Sequence, residues 1–241
     1  MILTELDGPD WDSDEVVDLI CVGTGVAALA VAIAAERAGL DVLLTDDAAE
    51  FGRLSQGHDL AEDATAFLVE VSDDLAAPEQ PGPKPWIHRP GEPDWPELRP
   101  GVLFSGAALR DWAGNCLASP YGLVSTAVAG PDATPIPVAD VPEGAPVDLD
   151  AWLPELAREY GLGARDGTVL HDLVLTGNRV VGAVLGTLAG QSVVRATAGV
   201  VFSAGAPARP GTHPVVDADV RELVIRPRPF SRFARLQLSA G

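Results

Sequence analysis

Asp18-Leu-Ile-Cys-Val-Gly23-Thr-Gly25-Val-Ala-Ala28-Leu-Ala30, running on to Val42-Leu-Leu-Thr-Asp46, decides how this chain folds. Residues 17–22 are a short apolar run, as expected of a strand buried on both faces. Gly23 lets the chain turn sharply, and Gly25 lets the backbone come close to a pyrophosphate. Ala28 holds the third small position, where a helix packs tightly on a strand. A helix over 26–38 would aim its N-terminal N–H groups and the positive end of its dipole at the phosphates, with Gly39 as its stop. Residues 42–45 read as the second strand. Asp46 then stands where a carboxylate accepts both ribose hydroxyl hydrogens. The expected binding residues are Gly23, Thr24, Gly25, Val26 and Ala27 around the turn, with Asp46 and Asp47 after the second strand.

Around this unit, 241 residues suffice for one substantial core. Apolar residues make up 47% of the chain and aromatics 5%, which points to an Ala/Val/Leu-packed α/β protein. A net charge of −19 argues against nucleic acid and against anionic membrane surfaces, both of which need basic patches. Arg221, Arg226, Arg228, Arg232 and Arg235 are the local exception and read as a basic tail suited to docking. Cys21 and Cys116 form no metal-type spacing, so no metal site is expected. The acidic N-terminus lacks the basic start of a signal peptide, and the longest apolar run is too short for a bilayer. A cytoplasmic location is the simplest expectation.

The spacing divides the chain into an ADP-binding βαβ half at 15–75, a Pro-rich irregular insertion at 76–148, a helix with meander and return strand at 149–205, and a basic tail at 206–241. Eight prolines between 78 and 100 exclude long regular structure there. Helices are expected at 60–71 and 103–118, and another capped by Asp150 and stopped by Gly161. Period-two patterning predicts three antiparallel strands at 169–175, 180–186 and 192–196, leading into a separate buried strand at 199–203.

Two of these segments resemble one family. Residues 18–46 resemble the N-terminal motif of FAD-dependent oxidoreductases, most of all the fumarate reductase/succinate dehydrogenase flavoprotein and 3-ketosteroid dehydrogenase group. Residues 179–205, with Arg179-Val-Val-Gly-Ala-Val and Gly199-Val-Val-Phe-Ser-Ala-Gly205, resemble that group's meander and the strand after it. The stretch Gly52-Arg-Leu-Ser55-Gln-Gly57 is similar in part to the family's loop beside the flavin. The resemblance implies a Rossmann-like FAD/NAD(P)-binding domain with FAD as cofactor, and adds Ser55, Ala204 and Gly205 to the cofactor-binding residues. NAD is disfavoured because the chain switches to a meander, and NADP because Asp46 and Asp47 would repel a 2′-phosphate.

The family's large capping domain is not matched by the short, irregular Pro-rich insertion, and its C-terminal flavin segment has no counterpart in the 36 residues after Gly205. The reading is therefore an FAD-binding oxidoreductase-like subunit acting on a small or steroid- or lipid-like substrate with another protein or a second copy. The alternative is a cofactor-free relative serving as an interaction subunit. No catalytic residue is assigned. His58, His88, His171 and His213 lack partner patterns, Arg53 and Arg110 are the arginines placed to meet an anion, and Tyr121 and Tyr160 are scattered.

Overall fold

The computed structural model describes residues 12–45, 60–72, 86–91, 106–142, 147–177, 179–203 and 219–240. β1 (Glu15–Val22), α1 (Val26–Arg37) and β2 (Val42–Leu44) follow one another as expected. β1 pairs in parallel with β2, Leu19 opposite Val42 and Cys21 opposite Leu44. On its other side β1 pairs in parallel with β8 (Gly190–Ser203), Val22 opposite Phe202. The strands expected at 17–22, 42–45 and 199–203 thus lie side by side.

α1 has nine of its 12 residues buried, so it is a core helix and not a surface one. Six of its residues are alanines, whose small size allows close approach to the sheet below and to a second helix above. It ends sharply. Leu40 N–H reaches Ala35 O at 3.1 Å and Gly39 N–H reaches Glu36 O at 2.8 Å, with Gly39 at φ +76°. That is a Schellman ending, which needs a residue tolerant of the left-handed region.

Apart from one short parallel strand, the rest of the sheet is antiparallel. Its order is β2-β1-β8-β4-β10-β9-β5, with β4 at Gly122–Ser125, β5 at Ile136–Asp140, β9 at Val220–Pro227 and β10 at Phe233–Ala240. β3 (Trp86–His88) joins β10 in parallel beyond the end of β4. β6 (Val169–Thr176) and β7 (Arg179–Thr187) build the expected meander onto the first half of β8. The result is a mixed sheet with helices on both faces, an α/β architecture.

Four details correct the sequence expectations. The third meander strand and the buried strand at 199–203 are one 14-residue strand, β8. Two steps on β1, Val17 to Leu19, oppose three on β8, Ala196 to Gly199. The extra residue is a bulge, with Gly199 at φ +120° and the next N–H, of Val200, given to Thr126 Oγ1 at 2.8 Å. The Arg-rich end is no tail, since β9 and β10 lie within the sheet. Inside the stretch read as an irregular insertion, beside the expected helix α3 (Gly106–Leu117), the chain also forms β3, β4 and β5. Pro137 is tolerated because β5 is an edge strand. Finally, α4 (Leu149–Glu159) is capped by Asp148, whose side chain accepts from Asp150 N–H at 3.0 Å, and not by Asp150 itself.

Alternation along β1 sends Leu19 and Cys21 to one face and Ile20 and Val22 to the other. The first face packs against α1 and α4 through Ile33, Leu149 and Leu153, joined by Leu236. The second packs against α2 (Glu62–Ser72), α3 and the meander through Leu68, Cys116 and Leu185. Cys21 and Cys116 are therefore inert core residues on opposite faces, and burial pushes both thiols up to about 12.

Candidate functional site

β1, β2 and β8 run in parallel and end together, and the turn from Gly23 to Gly25 lies over that end. Gly23 takes φ +93°, a conformation that favours glycine. Its N–H is buried and donates to Thr45 Oγ1 at 3.0 Å. Thr45, fully buried, in turn gives its own N–H to Cys21 O at 3.0 Å. One hydroxyl thus ties the turn after β1 to the residue after β2. Nothing in the glycine spacing pointed to Thr45; a polar residue closing the apolar run of β2 is the signal that could have.

Thr24 and Gly25 are exposed at the top of the turn. Gly25 is the N-cap of α1 and accepts Leu29 N–H at 3.0 Å. Its backbone is extended, φ −66° and ψ 161°, which any residue can adopt. A Cβ built on it would stand 3.5 Å from Ser203 Oγ, ordinary van der Waals contact. Neither conformation nor contacts among the described residues therefore require glycine at this position. No side chain caps α1, and its first turn carries no acid. Val26 and Ala27 are buried, so their side chains serve the core, and what they could offer a ligand is main-chain N–H. Ala28 is likewise fully buried, as close packing on β1 demands.

Asp46, Asp47, Ser55, Ala204 and Gly205 lie outside the described residues, as do Arg53, His58 and His213. Asp46 follows Thr45 directly, and Ala204 follows Ser203 at the end of β8. The remaining candidates are dispersed: His88 on β3, His171 on β6, Tyr121 buried before β4 and Tyr160 exposed at the end of α4. Among the described residues no cluster of histidine, cysteine and carboxylate side chains could hold a metal ion.

A second set of contacts ties the first half of β1 to its neighbours. Arg165 N–H bonds Leu44 O at 2.9 Å, and Arg165 pairs with Thr45 as a one-residue extension beside β2. Its guanidinium grips Glu15 on β1 with both arms, at 2.7 and 2.8 Å. This fork holds the Glu15 carboxyl below its usual range. Asp18 links β1 to β8 by accepting from Thr197 Oγ1 at 2.6 Å, and these hydrogen bonds lower its pKa as well.

No family model matches the chain, and no curated protein matches it. Solved structures do. One is a 3-ketosteroid-Δ4-(5α)-dehydrogenase from Rhodococcus jostii RHA1, at 22% identity over 78% of this chain and 46% of that one, with a TM-score of 0.35. Another is a flavocytochrome c3 fumarate reductase, at 15% identity over 78% of this chain and 35% of that one, with a TM-score of 0.34. A geranylgeranyl bacteriochlorophyll reductase-like protein from Thermoplasma acidophilum matches at 14% identity over 94% and 57%, with a TM-score of 0.33. The chain thus spans from about a third to somewhat over half the length of these structures. Likeness of this size leaves the site to be argued from its own residues. Among the described residues no helix is long and apolar enough to cross a membrane.

Proposed function

We propose that the chain is the dinucleotide-holding part of an FAD-dependent oxidoreductase. The observation that carries this reading is Gly25. It is a glycine that neither backbone angle nor packing demands, exposed at the carboxyl ends of parallel strands and at the start of a buried helix. Where a fold does not need a bare backbone, close approach of a ligand supplies the reason for one. The residues fit a pyrophosphate: an uncapped helix start free of acids, main-chain donors at Val26 and Ala27, and an exposed Thr24 hydroxyl beside them. Asp46 would hold the ribose, and Ser55, Ala204 and Gly205 would flank the cofactor.

FAD, when bound, would supply two-electron redox chemistry. The part assigned to this chain is to bind and orient it. Gly23 fixes the turn, Thr45 anchors it, and α1 presents its N–H groups. The substrate class, small or steroid- or lipid-like, rests on the sequence resemblance alone. We further infer that the chain works with another subunit or a second copy. Exposed Val128 and Phe230 support this; Phe230 N–H and Ala129 O, at 2.9 Å, bring the two apolar side chains' segments together.

The test is a titration of the purified protein with FAD, read by flavin fluorescence and absorbance. Saturable binding that Gly25→Asp abolishes supports the reading, because a carboxylate would then stand against the pyrophosphate. Absence of binding overturns it in favour of the cofactor-free interaction subunit. Light scattering tests the partner: a clean monomer that turns over substrate by itself refutes that part.

A further inference from the structure

β1 has β2 on one side and β8 on the other, and both neighbours run parallel to it. α1 carries the chain from β1 to β2, away from β8. The carboxyl ends of β1 and β8 therefore flank a point where the strand order reverses, the place at which open α/β sheets bind ligands. On the β1 side of this point stands the Gly23–Gly25 turn. On the β8 side stands Ser203, the last residue of its strand. Val22 is opposite Phe202, so Ser203 is level with Gly23.

The direction of the Ser203 side chain is fixed by two observations. Phe202 belongs to the core on the α2 and α3 face, so alternation turns Ser203 to the face that α1 covers. Its Oγ is also the atom nearest to a Cβ built on Gly25, at 3.5 Å. The hydroxyl thus stands directly beneath the start of a 12-residue helix that no side chain caps.

Ser203 is 7% exposed, and among the described residues its hydroxyl has no hydrogen-bond partner. A hydroxyl withdrawn from water without a partner weakens a fold, and alanine would fill the same space without that penalty. An acceptor brought by a ligand removes the penalty. The helix start specifies what kind of acceptor, because main-chain N–H groups and the positive end of the dipole select an anion.

We propose that Ser203 is a ligand-binding residue of this site, its hydroxyl donating a hydrogen bond to a phosphate oxygen of the bound diphosphate. The main-chain N–H groups of Val26 and Ala27 reach the same group from α1. The inference rests on the dinucleotide reading above and adds to it a residue from the neighbouring strand. A diphosphate held from β8 as well as from the turn is fixed in direction across the strand ends, and not merely attracted to the helix.

Calorimetric titration of the parent and of Ser203→Ala with FAD and, separately, with ADP tests this. ADP carries the diphosphate without the flavin, so a loss common to both ligands assigns the contact to the diphosphate. Ser203→Ala should weaken both about tenfold, the effect of one hydrogen bond to a charged group. Ser192→Ala, at the far end of β8, should leave both unchanged. Without ligand, Ser203→Ala should melt at or slightly above the parent's temperature, because no hydrogen bond within the chain is lost. A parent that binds both ligands beside a Ser203→Ala variant of equal affinity overturns this proposal and leaves the dinucleotide reading standing. A loss confined to FAD, or a parent that binds FAD and not ADP, places the affinity in the flavin half and overturns it as well. So does a Ser203→Ala variant that melts well below the parent, since the hydroxyl would then serve the fold. A parent that binds neither ligand removes the dinucleotide reading, and the proposal falls with it.

Discussion

Thr45→Val separates the fold of the glycine turn from its chemistry. Valine keeps the branched shape of threonine but removes the oxygen that accepts Gly23 N–H at 3.0 Å in the buried interior. The amide is then left without its partner, which costs about 1–3 kcal/mol. For a chain of this length each kcal/mol moves the melting temperature by roughly 2–4 °C, so a fall of about 4–8 °C is expected for a loss near the middle of that range. Thr45→Ser is the control. It keeps the acceptor and loses one buried methyl group, worth about 1 kcal/mol. Urea melts give the stabilities, and hydrogen exchange at the Gly23 amide reports on the bond itself. Valine should speed that exchange and weaken FAD binding, whereas serine should leave both close to the parent. A valine variant as stable as the parent, or a serine variant that loses more than valine does, would refute the claim that this hydroxyl holds the turn.

Three further outcomes follow from the packing and charges. Gly122→Ala would place a Cβ 2.0 Å from the Cys116 carbonyl oxygen, a backbone atom that cannot swing away, so a loss of about 3 kcal/mol or more is expected in urea melts. Tyr121→Phe should be neutral or stabilising by about 1 kcal/mol, because the buried hydroxyl has no hydrogen-bond partner among the described residues; a loss beyond that size would show the hydroxyl to be satisfied. The Arg165 fork depresses the Glu15 pKa, so its stabilisation is present above the ordinary glutamate range and disappears as pH falls through the folded-state value. The melting-temperature gap between the parent and Glu15→Gln should accordingly be small at pH 7 and shrink as pH falls below the ordinary glutamate range. A gap that does not shrink as pH falls below the ordinary glutamate range counts against it.

The first βαβ unit was legible because its signals are local: glycines at fixed spacing, an Ala-rich helix and two short apolar runs. The 199–203 strand was legible for the same reason. Its continuity with the meander was not, because Gly199 reads equally as a break or as a bulge, and only pairing with β1 decides between them. The last strands were hidden by charge. Leu236 and Leu238 alternate with Arg235 and Gln237 at period two, yet five arginines in the last 21 residues suggested an exposed tail. Sequence spacing cannot tell an arginine lying over indoles, as Arg235 does over Trp86 and Trp112, from one in water. Of the candidate site, the turn is placed where its glycines predicted, whereas Thr45 and Ser203 emerged only from the contacts around it.

The pairing of β8 with β1 also dictates when this protein can fold. Thr197 meets Asp18 across a separation of 179 residues, and β10, nearer still to the end of the chain, is inserted beside β4. A ribosome must therefore deliver β8 and β10 before the middle of the sheet can close. Until then β1 and β4 wait with unsatisfied edges, and α1 has no complete surface on which to settle. Such high contact order makes folding slow and leaves nascent chains open to aggregation. Truncations that remove β9 and β10 should yield no smaller stable domain, since β4 would lose one of its two neighbours and β5 its only ladder partner among the described residues.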